Sequence, residues 1–65
     1  MMISLKAARV NAGMTQKDVA QRLGVTKTTI VNWEKHDNRL SFDKLNKLCS
    51  LYGIRIDDVR IEGIG

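Results

Sequence analysis

The chain has 65 residues with a net charge of +4 and a sequence pI near 9.7. That length admits a single domain over residues 1–65, which buries only about 60% of the surface its unfolded form exposes and leaves no room for a deep catalytic pocket. Hydrophobic residues at 43% and charged residues at 28% give a globular balance, and a lone cysteine, Cys49, excludes an intrachain disulfide and suits a reducing cytoplasmic setting.

The first apolar stripe predicts a helix over about 4–12, with Leu5, Ala8 and Ala12 at i, i+3 and i+7. Arg9 occupies the same stripe, where an arginine needs a carboxylate partner because an unpaired buried charge is too costly. Gly13 then ends the helix. Thr15-Gln16-Lys17-Asp18 reads as a variant capping box ahead of Val19, Ala20 and Leu23, which predicts a second helix over 16–23. Gly24 supplies the turn, and Thr26 caps a third helix over 27–36. Two short helices joined by so short a glycine turn form a helix-turn-helix.

The third helix turns Ile30 and Trp33 inward with Glu34 beside them, which makes Glu34 the partner expected for Arg9. Its opposite face carries Lys27, Thr28, Val31, Asn32 and Lys35. After the polar loop HDNRL, Ser41 caps a fourth helix over 42–52, with Phe42, Leu45, Leu48, Cys49 and Tyr52 on one inward stripe. Residues 54–65 admit two readings. Ile54 and Ile56 alternate as in a strand, whereas Asp57-Asp58 opens a short fifth helix over 57–61, and Gly63 and Gly65 favour fraying at the end. The expected fold is all-α, a bundle of four to five short helices around the helix-turn-helix.

Charge is unevenly spread. Residues 1–40 hold seven Lys/Arg against three acids, and residues 41–65 hold four of each, so the basic excess surrounds the third helix. That distribution suits a polyanion. Lysine bonds guanine O6 and N7, asparagine bonds an adenine edge twice, and threonine or valine can touch a thymine methyl. Lys27, Thr28, Val31 and Asn32 are therefore the candidate base-reading residues. No apolar run approaches the roughly 20 residues of a bilayer span, and MMISLKAARV lacks the apolar block of a signal peptide. His36 has no companions for a metal site, Asp57-Asp58 reads as a helix start, and no acid–base pair or phosphate-cradling glycine loop suggests an enzyme or a cofactor. No small-molecule ligand is indicated.

The stretch TQKDVAQRLGVTKTTIVNWEK resembles the helix-turn-helix of the lambda-repressor-like, Cro/Xre-type transcriptional regulators of bacteria and their phages. Thr15-Gln16, Ala20, Gly24, Val25, Ile30 and Trp33 carry the likeness, which extends to Arg9 with Glu34 and to Tyr52-Gly53. The resemblance implies a cytoplasmic, nucleoid-associated repressor-like protein that binds double-stranded operator DNA, commonly as a homodimer. It implies a phosphate contact and a bracing role for Gln16, and phosphate contacts from Lys35, Asn38 and Arg39. Lys17 and Lys44 join that set by charge. Arg9 with Glu34 is a structural ion pair in this reading. The alternative is a protein-interaction module on the same fold, such as an antitoxin or adaptor, with the tail VRIEGIG as its apolar patch.

Overall fold

Four hydroxyl caps set where the helices of this computed structural model begin, and residues 2–63 are described. Ser4 Oγ accepts from Ala7 N at 3.0 Å ahead of α1 (Leu5–Asn11). Thr15 Oγ1 accepts from Asp18 N at 3.0 Å while Thr15 N donates to Asp18 Oδ2 at 2.9 Å, a complete capping box ahead of α2 (Gln16–Leu23). The backbone N–H of Thr15, and then its hydroxyl, holds the Asp18 carboxyl below the usual range. Thr26 Oγ1 accepts from Thr29 N at 3.2 Å ahead of α3 (Lys27–Lys35), and Ser41 Oγ accepts from Lys44 N at 3.2 Å ahead of α4 (Phe42–Tyr52). Each cap satisfies an N–H that the helix itself leaves unpaired.

The turn between α2 and α3 depends on Gly24, whose φ of 70° and ψ of 32° lie in the left-handed region. There Val25 N folds back to Ala20 O at 3.0 Å and closes α2, which lets α3 start only two residues later. α2 and α3 pack against each other, and α1 packs against α4. Their shared core is Leu5 and Ala8 of α1, Val19 and Ala20 of α2, Ile30 of α3, and Leu48, Cys49 and Tyr52 of α4.

Tyr52 is buried, and its hydroxyl has no hydrogen-bond partner among the described residues. Burial, then the nearby Glu34 carboxylate, pushes its pKa up to about 12. The unfolded phenol ionises near pH 10, so the folded state loses this advantage as pH rises from about 10 towards 12. Urea melts across that window are expected to show falling stability in the parent and a weaker fall in Tyr52→Phe. Burial also pushes the Cys49 thiol up, which disfavours a reactive thiolate.

The structure departs from the expected elements at two helix ends, at Phe42 and in the tail. α1 stops at Asn11 and α3 at Lys35, so Ala12 is an exposed cap residue and His36 a turn residue. Phe42 does not join the core and is 70% exposed. As the first residue of α4, its side chain leans back towards the helix start, beyond the reach of the other helices, and the buried part of the stripe begins at Leu48.

The fifth helix over 57–61 does not form. Ile56–Asp58 make one 3-10 turn, and Val59 pairs instead with Ile3 in a parallel bridge. Ile3 N donates to Asp58 O at 2.8 Å and Arg60 N donates to Ile3 O at 2.8 Å. A five-residue helix closes too few hydrogen bonds to compete, whereas the extended path buries the β-branched Val59. The described tail is tied down as far as Gly63, where Glu62 N and Gly63 N both donate to the Asp37 carboxylate. Ile64 and Gly65 lie outside the described residues.

Candidate nucleic-acid interface

α3 is held by its inner face. Ile30 is 1% exposed in the core, and Glu34, one turn later, enters a hydrogen-bonded junction. Arg9 Nε donates to Glu34 Oε2 at 2.7 Å, and Arg9 Nη1 donates to the Met14 carbonyl at 2.9 Å. Gln16 Nε2 donates to Glu34 Oε1 at 3.1 Å. One carboxylate thus ties α1, the start of α2 and α3 together, with about nine-tenths of the Arg9 and Glu34 side chains removed from solvent. Trp33 packs against the core as expected but at its edge, half-buried, and the Lys44 ammonium lies 5.6 Å from its ring centroid. That is cation–π distance, so α4 is stitched to the flank of α3.

With the inner face so fixed, Lys27, Thr28, Val31, Asn32 and Lys35 are all exposed on the opposite face. The side chains proposed to touch phosphate lie at the two ends of this face. At its start, Gln16, Lys17 and Lys27 line one concavity together with Thr15. At its end, Asn32, Arg39 and Lys44 line another with Trp33, His36 and Leu40. Asn38 and Arg39 are exposed on a 3-10 turn, Asp37–Arg39, directly after α3. Gln16 is half-buried, with its amide nitrogen engaged by Glu34. Lys17 is exposed near the start of α2.

One residue of this region had no signal in the sequence. Asp37 stands in the polar loop, yet it is 3% exposed and accepts two backbone N–H groups from a segment 25 and 26 positions away. His36 is half-buried, and no group of three or more His, Cys, Asp or Glu side chains able to hold a metal occurs among the described residues. No described helix is long and apolar enough to cross a membrane.

The chain matches the family described as Helix-turn-helix over residues 5–59. It is 35% identical over 57 residues to an uncharacterised HTH-type transcriptional regulator of Methanocaldococcus jannaschii, covering 88% of this chain and 86% of that protein. It is 38% identical over 53 residues to the HTH-type transcriptional regulator ImmR of Bacillus subtilis, covering 82% of this chain and 42% of that one. A Sulfurisphaera tokodaii protein is 38% identical over 55 residues, 85% of this chain, of which the chain spans 18%. The chain thus spans less than half the length of two of these relatives. No solved structure matches. The capped α2–Gly24–α3 unit and the family match over 55 of its positions agree: the chain belongs to the Cro/Xre-type helix-turn-helix family.

Proposed function

We propose that this chain is a sequence-specific transcriptional regulator that binds double-stranded DNA, with α3 as the helix that enters the major groove. The observation that carries the reading is the helix's division of labour. Ile30 and Glu34 are locked inward while Lys27, Thr28, Val31 and Asn32 are presented outward together. A groove about 12 Å wide admits one such helix, and these side chains match the donors, acceptors and methyls of its floor. Lys17, Lys35, Asn38, Arg39 and Lys44, with the start of α2 at Gln16, supply phosphate contacts that give affinity and register. A few base contacts from one short helix give modest affinity. A homodimer with its two copies of α3 about 34 Å apart on a near-palindromic operator would supply the rest. The protein acts by occupying a site, as a repressor-like factor of the cytoplasm and nucleoid, and not by catalysis.

The test is selection of bound duplexes from a random pool at about 150 mM salt, read by sequencing. Enrichment of two inverted half-sites supports both specificity and dimeric binding. Salt-sensitive binding with no enriched motif would demote the outer face of α3 to a general basic surface. The second reading, a protein-interaction module, rests on Phe42, a large apolar side chain left 70% exposed. The tail supports it less than its composition suggests, since Val59 is buried and only Ile61 of its described apolar residues is exposed.

A further inference from the structure

An acid in a loop that meets phosphates is a liability, because its charge opposes the backbone it approaches. Asp37 begins the turn that carries Asn38 and Arg39, yet it is almost wholly withdrawn from solvent. What withdraws it is the tail. Asp37 Oδ2 accepts from Glu62 N at 3.0 Å, and Oδ1 accepts from Gly63 N. The fit is close enough that a side chain at position 63 would crowd it. A Cβ at position 63 would lie 2.6 Å from Asn38 Oδ1, 2.6 Å from Asp37 Oδ1 and 3.0 Å from Asp37 N. The tail thus touches both the buried acid and the side chain of its neighbour, Asn38. Farther back, the bridge between Ile3 and Val59 fixes the path by which the tail arrives.

We infer that the tail Val59–Gly63 supports the DNA-binding surface from behind, and that Asp37 is a positioning residue through which it sets the 36–39 loop. The two N–H groups take the place of water around the carboxylate and keep it out of solvent, and the same clasp fixes the backbone from which Asn38 and Arg39 reach a phosphate. The inference rests on the DNA-binding reading above. It adds that a segment remote from α3 in sequence governs one of its phosphate contacts.

Two variants that keep the parent's charge test it. Gly63→Ala puts a methyl group against the Asp37 carboxylate and displaces it from its donors, and Asp37→Glu moves the carboxylate by one methylene off the same two donors. Binding to a random duplex is measured against salt concentration, with far-ultraviolet circular dichroism confirming that each variant is folded. Both are expected to bind about fivefold more weakly. The slope of log affinity against log salt should shrink by about one phosphate contact. General destabilisation lowers the folded fraction without moving that slope, so the slope separates positioning from stability. A folded variant with the parent's affinity and slope overturns the inference, and so does the loss of folding in both. If the parent itself binds no duplex, the DNA-binding reading fails first, and that is decided on the parent alone.

Discussion

Glu34→Ala is expected to be among the most destabilising single changes in this molecule, at about 3–5 kcal/mol, the cost of removing one member of a buried ion pair. The truncation takes away two acceptor oxygens at once. Arg9 loses its partner at 2.7 Å, and Gln16 Nε2 loses its acceptor at 3.1 Å. The guanidinium cannot simply swing into water, since Arg9 is 8% exposed and its Nη1 is already held by the Met14 carbonyl. A full charge would remain buried against a methyl group. In a domain of this size each kcal/mol moves the melting temperature by about 4–8 °C, so the variant should be largely unfolded at physiological temperature. Thermal and urea melts followed by circular dichroism measure it. Glu34→Gln, which keeps one acceptor oxygen and the side-chain volume, should cost less. Replacing Arg9 and Glu34 together by methionine should cost less than Glu34→Ala alone, because no unpaired charge is left. If Glu34→Ala melted within a few degrees of the parent, the junction would not be what holds α3 to α1 and α2.

Asn32→Ala is expected to leave stability nearly untouched and to change which DNA is bound. The residue is exposed on the outer face of α3, so truncation opens no cavity and strands no buried partner. Its carboxamide is suited to two bonds with one adenine edge, and losing them should cost about 1–3 kcal/mol against the preferred base. The loss should fall on one position per half-site, with the other positions still discriminated. Competition binding across single-base variants of the selected site measures it. A uniform loss at every position would recast Asn32 as a phosphate contact, and no loss would move the reading face of α3 elsewhere.

The helix starts were legible because each is written in a few adjacent residues. Thr15-x-x-Asp18, Thr26 and Ser41 each bond an N–H three positions on, and such local chemistry survives any tertiary setting. The partnership of Arg9 with Glu34 could be read for a different reason. Each charge sat on an apolar stripe where it needed the other. Periodicity failed where it had to say how far the neighbours extend. Phe42 keeps the spacing of the stripe that buries Leu48 and Tyr52, but it stands at the tip of α4 with nothing across from it. The tail failed for the opposite reason. Its structure comes from Ile3 and Asp37, both distant in sequence, and no local pattern announces such partners. For the interface, the sequence gives the outward face of α3 and its basic surroundings. The role of Asp37 depends on a contact that only the folded chain brings about.

The Ile3–Val59 bridge also orders events in time. α2 and α3 are neighbours along the chain, so their packing closes only a short loop and is expected to nucleate early. The bridge closes nearly the whole described length, and that closure entropy must be met before the contact rewards it. Seating the tail on Asp37 therefore belongs to the final stage of folding, and its release to the first stage of unfolding. The helix proposed to read the groove thus belongs with the folding nucleus, whereas the clasp on the loop that follows it is expected only once Ile3 and Val59 have paired.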